Sequence, residues 1–412
     1  MDGANIAWVC CQLGAREHYA VPRALRRTGE LSEVITDVWI RPAFQAFMPS
    51  RLRGRFHAEL SGETVSSSNL SAMWFEARHR LAGSRGWELI LERNDWFQER
   101  ALQELNRLAQ LTPSRHYRVF AFSYAARRLF AFAKSRGWAT VLGQIDPGPP
   151  EEQIVARLHR QHAALAQPWQ PAPPRYWSEW REECALADRI VVNSAWSHQA
   201  MCAEGIPERK LRIVPLAHDA PAGAAEFRRN YPVAFTFERP MRVLFLGQVN
   251  LRKGVSAILE AMAQLRNAPI EFWFVGPRQM NVPAECLGNR LARWLGTVPR
   301  GETARYYREA DLFLFPTFSD GFGLTQLEAQ AWKLPIVASR FCGSVVRDGA
   351  NGILLGEPSG IAIAEVLRSL LADPGRLESM SRNAATQADF GIDRLGKGLL
   401  QVFNGEHRMN CG

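Results

Sequence analysis

The sequence predicts an α/β protein of two doubly wound domains, each a parallel sheet covered by helices. Three observations carry this. The chain has 412 residues, well past the size at which a single hydrophobic core stops growing. Short apolar runs alternate with segments of helical period, the pattern of strand–helix–strand units. A stretch of small residues and proline at 220–225, then an irregular run at 231–240, separates an N-terminal series of such units from a C-terminal one. The boundary is placed after residue 222, giving an N-terminal domain of residues 1–222 and a C-terminal domain of residues 223–390.

The elements follow in order. Residues 6–11 are a first strand, with a turn at Gly14 and a helix over 21–27. Residues 41–113 have no clean period, apart from helical stretches at 73–81 and 98–108. Strands at 119–122 and 140–142 flank a helix at 125–135. Pro147, Pro149 and Pro150 break the chain before a helix reaching about residue 166, and the proline-rich run 167–174 is a loop. A helix over 177–187 feeds a strand at 189–192, Asn193-Ser194 caps a helix over 195–203, and 211–215 is the last strand of this half.

The second half is more regular. Strands are expected at 243–246, 270–275, 294–298, 312–315 and 336–338, and helices at 254–265, 302–309, 324–332 and 361–371. The helix over 254–265 places Val255, Ile258, Leu259, Met262 and Leu265 on one face. Doubly wound sheets of this kind bind ligands at the carboxyl ends of their strands.

Composition excludes several classes. A chain 47% hydrophobic and 22% charged is not extensively disordered. No apolar stretch approaches the roughly 20 residues needed to span a bilayer. No basic segment followed by an apolar core opens the chain, so a cytoplasmic protein is expected. The seven cysteines form no C-x-x-C pair, which argues against a zinc site or a disulfide framework and for reduced, mostly buried thiols. The net charge of +9 is spread over both halves. Residues 115–136 are locally biased, with five Arg, one Lys, no acid and six aromatics. That run reads as a buried strand followed by a helix with a solvated basic face. A peripheral contact with anionic lipid, at the inner face of a membrane, is the alternative reading. No nucleic-acid motif accompanies it.

The chemistry concentrates in Asp320-Gly-Phe-Gly-Leu-Thr-Gln-Leu-Glu328, between a strand and a helix that begins near Leu324. Gly321 and Gly323 are expected to let the backbone approach a ligand, with Phe322 between them. Free N–H groups at the start of the helix suit a diphosphate. Glu328, one turn in, suits two vicinal ribose hydroxyls, and Asp320 suits hydroxyls of a sugar. A second loop, Gly247-Gln-Val-Asn-Leu-Arg252-Lys253-Gly254, sets two cations at a helix N-terminus. The helix dipole disfavours cations there, so an anion should compensate. Neither a P-loop nor a dinucleotide fingerprint is present.

With these motifs the chain resembles the retaining glycosyltransferases of family 4, which have the GT-B fold of two facing Rossmann-like domains. The resemblance is densest over 242–374: Gly247…Arg252-Lys253-Gly254, Gly296-Thr-Val298, Tyr307-Arg-Glu-Ala-Asp311, Gly321-Phe-Gly-Leu324, Leu327-Glu328-Ala and Leu334-Pro-Ile-Val-Ala338. It extends more faintly to Ala187–Ser194 and Lys210–Asp219. It implies a metal-independent, retaining transfer of a sugar from a UDP- or GDP-linked donor, which is substrate rather than cofactor. The acceptor is a glycan, a lipid-linked acceptor or a small molecule, and bacterial polysaccharide assembly is the usual setting. The donor site implied is Gly14, Gln248, Arg252, Lys253, Val298, Asp320, Gly321, Phe322, Gly323, Leu324 and Glu328, with Asp320, Arg252 and Lys253 catalytic. The acceptor side implied is Arg16, His18 and Tyr124 in the N-terminal domain. A C-terminal helix within 391–412 is implied to pack back on the N-terminal domain.

Departures from the family are specific. Asp320 stands where the family usually has Glu, and Gln248 where it often has Arg. Phe120-Ala-Phe-Ser123 stands where many members carry His-x-His, leaving Ser123 or Tyr124 to fill that space. A catalytically silent nucleotide-sugar-binding partner subunit and a GT-B nucleotide-sugar epimerase are the alternatives. Turnover with an acceptor excludes the first, and product formed from donor alone would reveal the second.

Overall fold

Two parallel sheets, one in each half of the chain, carry the architecture. The computed structural model describes residues 7–45, 48, 52, 54–384 and 387–403. The first sheet contains β1 (Ala7–Gln12), β2 (Leu31–Thr36), β3 (Val65–Ser67), β4 (Tyr117–Phe122), β5 (Ala139–Gly143), β6 (Arg189–Val192) and β7 (Leu211–Ile213), in the order 3-2-1-4-5-6-7. Its helices are α1 (Ala20–Arg27), α2 (Asn69–Ala82), α3 (Gly86–Leu111), α4 (Arg127–Ser135), α5 (Pro149–Gln161), α6 (Pro174–Leu186) and α7 (Ala195–Ala203). The second sheet contains β8 (Met241–Leu246), β9 (Ile270–Val275), β10 (Ala292–Gly296), β11 (Leu312–Phe315), β12 (Ile336–Ser339) and β13 (Gly352–Leu355), in the order 10-9-8-11-12-13. Around it lie α8 (Val255–Gln264), α9 (Thr303–Glu309), α10 (Leu324–Ala331), α11 (Gly360–Ala372) and α12 (Gly375–Arg382), and α13 (Ile392–Leu400) follows.

Strand alternation sorts side chains to the two faces of each sheet. In β8, Val243 and Phe245 join a core with Ile258 and Met262 of α8 and Leu367 of α11. Leu244, between them, joins Tyr307 and Leu327 on the other face. In β1, Val9 and Cys11 pack with Phe97, Leu105 and Leu129, while Trp8 and Cys10 pack with Ala24 and Leu25 of α1. Both sheets are therefore covered on both sides, which is why their strands read as near-continuous apolar runs.

Helix α13 belongs in space to the first half. Ile392, Leu395 and Leu399 share a core with Ala20, Ala24 and Val214. Gly396 sits so close to α1 that a Cβ there would lie 3.1 Å from the Ala24 carbonyl oxygen. Residues 404–412 lie outside the described residues.

Several elements differ from the sequence reading. β2 is a strand that the reading leaves uncalled. Its Glu33 is buried, yet accepts hydrogen bonds from Ser66 Oγ at 2.6 Å and Arg107 at 2.8 Å. α3 begins at Gly86, not at 98, because its charged first half faces neighbouring helices and solvent. β10 lies two residues earlier than 294–298. β7 stops at Ile213, before Val214 and Pro215. The basic, aromatic run 115–136 is the buried strand β4 and helix α4. Its Arg127 pairs with Glu179 and Glu182, Lys134 pairs with Asp188, and Arg118 lies over Trp8 and Phe403. Those three cations are engaged within the fold, while Arg115, Arg128 and Arg136 of the same run are exposed.

Candidate active site between the two sheets

Strand order reverses between β1 and β4 in one sheet and between β8 and β11 in the other. Loops leaving the carboxyl ends of such strand pairs diverge and open a crevice. The two crevices meet in a cleft of about 370 Å³. Gln248, Arg252, Lys253, Asp320, Phe322, Gly323 and Leu324 line it from the C-terminal half, as part of the candidate donor set. Thr325 joins them, and Arg16, Glu17, Ile145 and Asn193 close it from the N-terminal half.

The compensating anions for the two cations are carboxylates of the protein itself. Lys253 Nζ forms an ion pair with Asp320, and Arg252 donates to Glu151 Oε2 at 3.2 Å and to the Ser319 carbonyl at 2.9 Å. Burial alone would raise the Asp320 carboxyl, but Lys253 and Arg252 outweigh it and hold it below its ordinary value. Glu151 is the opposite case. Burial pushes it up to about 7 despite Arg252 beside it, with Asp146 adding to the rise. Ser319 Oγ donates to Glu151 at 2.8 Å and receives the indole N–H of Trp196 at 3.1 Å. Glu151 and Trp196 come from the first half, Arg252 and Ser319 from the second, so this cluster also ties the domains together.

The glycines of the 320–328 motif are required by the protein's own packing. A Cβ on Gly321 would strike the carbonyl oxygen of Ile145 in the N-terminal domain. Gly323 has φ +83° and lies against the ring of Phe315, so it needs left-handed backbone and lacks room for a methyl. The expectation that both glycines make way for a ligand is corrected at Gly321, which makes way for the other domain. Gly323 then opens α10, whose first turn, with Leu324 and Thr325, faces the cleft. Glu328 accepts a hydrogen bond from Tyr307 Oη at 2.7 Å. Val298 packs, partly buried, against the core that contains Tyr307.

On the N-terminal side the sequence-predicted set splits. Arg16 lines the cleft and lies over the Phe122 ring at 5.4 Å. His18 does not line it. Its Nδ1 lies 2.9 Å from the Arg300 guanidinium, and burial, with Arg300, brings its pKa down to about 4. The residue that does face the cleft is Glu17, whose carboxyl is raised by burial to about 7 against the pull of Arg16. Glu17, His18 and Tyr19 all have positive φ, an uncommon run for residues with side chains. Tyr124 is partly buried and, with Arg16 and Ser123, lines a separate pocket of about 120 Å³. Its hydroxyl donates to Asp146 Oδ1 at 2.6 Å, its backbone N–H to Glu183 Oε2 at 2.7 Å, and its ring stacks on Tyr176 at 4.5 Å.

Gly14 lies in the wall of a different pocket. Its N–H donates to Asp37 Oδ1 at 2.9 Å, and Arg55 pairs with Asp37 at 3.0 Å beside it. This pocket, of about 560 Å³, is lined by Leu13, Gly14, Asp37 and Arg55 and by both apolar and charged side chains of α2 and α3, among them Met73, Trp96, Glu76, Arg80 and Arg93.

Glu17, Glu151 and Asp146 were missed in the sequence. An acid reads as a surface residue unless something marks its burial. Only Asp146 and Glu151 had a signal, flanking the proline run 147–150 that turns the chain after β5.

Comparison with known proteins finds relatives of both the sequence and the fold. The family model described as Glycosyl transferases group 1 matches residues 240–373. The chain is 31% identical over 259 residues to D-inositol 3-phosphate glycosyltransferase 1 of Catenulispora acidiphila, covering 56% of this chain and 60% of that protein. It is 31% identical over 292 residues to the D-inositol 3-phosphate glycosyltransferase of Geodermatophilus obscurus, covering 63% of this chain and 64% of that one. These alignments thus span under two thirds of either relative's length. Among solved structures, Anabaena Alr3699/HepE in complex with UDP superposes with a TM-score of 0.61 at 13% identity, covering 96% of this chain and 98% of that one. Sucrose-phosphate synthase from Thermosynechococcus elongatus superposes with a TM-score of 0.60 at 17% identity, with 96% and 98% covered. The shared fold is GT-B.

Proposed function

We propose, from the match of residues 240–373 to the group 1 glycosyl transferases, that the chain moves a sugar from a nucleotide-sugar donor, held in the cleft, to an acceptor presented by the N-terminal domain. The observation that carries the reading is the meeting, in one cleft between the two sheets, of Arg252, Lys253 and the N-terminus of α10. That combination suits a diphosphate, because two cations and a helix N-terminus converge on one space. The UDP bound in the Anabaena structure supports the same class of ligand.

In this reading the donor diphosphate takes the place of carboxylate partners. Lys253 exchanges Asp320 for a phosphate oxygen, and Asp320 is released toward the hydroxyls of the sugar. Arg252 and Lys253 then offset the charge that grows on the diphosphate as the glycosidic bond breaks. Glu328, oriented by Tyr307, receives the ribose hydroxyls. The leaving phosphate takes the acceptor proton, so the absence of a His-x-His after β4 does not remove a required base. With two cations and a helix terminus on the diphosphate and no Asp-x-Asp pair in the chain, transfer proceeds without a divalent metal, and with retention of the anomeric configuration.

The test begins with donor binding. UDP or GDP at 100 times its Kd stabilises the fold by about 2.7 kcal/mol, so one of the two raises the melting temperature. If neither does so at millimolar concentration, the cleft is not a nucleotide site. Product formed in excess EDTA, read by proton NMR, then checks metal independence and anomeric outcome. Activity that is lost in EDTA and restored by manganese, or an inverted anomeric signal, refutes the corresponding half of the mechanism.

A further inference from the structure

Helix α2 has two apolar faces. Ala72, Phe75 and His79 form the buried one. Leu70, Met73, Trp74, Ala77 and Leu81 follow the i, i+3, i+4, i+7, i+11 spacing of a second stripe, and at 3.6 residues per turn it points about 180° away from the first. That outward stripe is bare: Leu70 is 80% exposed, Trp74 67% and Leu81 90%. A helix on the surface of a soluble domain carries charge on its outward face. Here charge is confined to the flanks, with Arg78 on one side of the stripe and Arg80 on the other, both exposed. The Arg78 guanidinium lies 6.0 Å from the centre of the Trp74 ring. The one acid of the helix, Glu76, is engaged by Arg93 at 2.8 Å.

An apolar stripe bordered by cations is complementary to one kind of surface, an acyl layer beneath anionic headgroups. We propose that the outward face of α2 docks on an anionic lipid surface, with Leu70, Trp74 and Leu81 in the interfacial layer and Arg78 and Arg80 on the headgroups. Indole suits that depth because its body is apolar and its N–H polar. The 560 Å³ pocket gives the docking a purpose. It is walled by Met73 and Arg80 of α2 and, in the same space, by Leu13 and Gly14 after β1. A lipid-carried acceptor lying in the surface would therefore enter beside α2 and meet the β1 end of the interdomain crevice. This purpose rests on the proposed transferase reading. The docking itself does not.

The experiment is vesicle flotation with the full chain. One set of vesicles is pure phosphatidylcholine and the other contains roughly 30 mol% phosphatidylglycerol. The expected result is binding to the anionic vesicles, weakened by salt, and little binding to the neutral ones. The triple variant Leu70→Ser/Trp74→Ser/Leu81→Ser should bind at least about tenfold more weakly, and Arg78→Glu alone several-fold more weakly. All four side chains are solvent-exposed, and the single Arg78 change keeps the test open if the triple variant misfolds. The UDP thermal shift is measured on every variant. Its retention with loss of flotation isolates α2, whereas its absence in the wild-type chain counts against the donor site alone. Failure of the wild-type chain to float with anionic vesicles overturns the proposal, as does equal flotation of wild type and variants. A wild-type dimer in light scattering that the triple variant dissociates, without vesicle binding, would assign the face to a second copy.

Discussion

Lys253 is the residue on which the donor site turns. It sits one residue before the left-handed Gly254 that opens α8, and a Cβ on Gly254 would strike the carbonyl oxygen of Pro316. The cation is thereby fixed against the 316–320 loop and Asp320. Lys253→Ala should lower kcat/KM by roughly 100-fold or more, the scale of losing a charge contact made in the transition state. It also strands the Asp320 carboxylate, so the melting temperature of the variant should fall as well. Unchanged kinetics would show that the loop does not touch the donor. A second residue-level prediction concerns pH. Burial raises the carboxyls of Glu17 and Glu151 to about 7, so both are largely neutral at pH 6 and charged at pH 8. Glu17, on the cleft, repels a diphosphate when charged, and charged Glu151 competes with it for Arg252. Affinity for a nucleotide sugar, whose diphosphate is a diester that does not titrate in this range, should fall as pH rises through about 7. Folding follows the same sign: the contribution of these groups is present below the ordinary carboxylate range and is lost as pH rises through about 7. Calorimetric titration at pH 6 and pH 8 checks the binding claim, with Glu17→Gln expected to flatten the dependence. Equal affinities in the wild-type protein would refute it.

At the scale of elements, the interdomain contact at Gly321 makes its own prediction. Gly321→Ala places a methyl against the Ile145 carbonyl oxygen, a backbone atom that cannot swing aside. The two walls of the cleft must part, so the donor Kd should rise by about tenfold or more, while Gly62→Ala, which meets nothing within 4 Å and has no left-handed φ, tests for a general effect of adding a methyl. Near-equal Kd values for the two variants would mean that the wall contact is immaterial. Helix α13 supports a further one. Ending the chain after Phe390 strips Ile392, Leu395, Leu399 and Val402 from the core shared with α1. Each buried aliphatic side chain is worth about 1.5–3 kcal/mol, so the truncated protein should aggregate or melt well below the full chain. A soluble truncation with an unchanged thermal midpoint would contradict this.

The whole molecule shows which parts of a sequence speak. Five of the six strands of the second sheet were legible, most clearly where apolar runs of four to six residues are bounded by Gly or Pro, as at Ile270–Val275 and Leu312–Phe315, whereas β13, a short partly exposed edge strand, was not. β2 was not, because its buried Glu33 finds partners at Ser66 and Arg107, which no local pattern announces. The donor wall was legible because glycine, cation and carboxylate types lie close together in sequence at 247–254 and 320–328. The opposite wall is assembled from Arg16, Glu17, Ile145 and Asn193, which only the order of the strands brings together. His18 shows the limit from the other side: the loop was the right one, yet three consecutive left-handed residues turn His18 toward Arg300 and leave Glu17 on the cleft.

The return of α13 to the first half also sets an order of events during synthesis. The surface of α1 and β7 that α13 covers, with Ala24 and Val214 at its centre, is complete once residue 214 has emerged. Its cover lies almost 180 residues further on, with the entire second sheet between. At about 5–20 residues per second, that surface stays uncovered for on the order of ten seconds or more on every nascent chain. The first half therefore waits as an unfinished domain until α13 has been made. A pause or a premature stop in the second half leaves a chain whose apolar seam is still open, which makes α13 a check that the second sheet has been made before the first domain is closed.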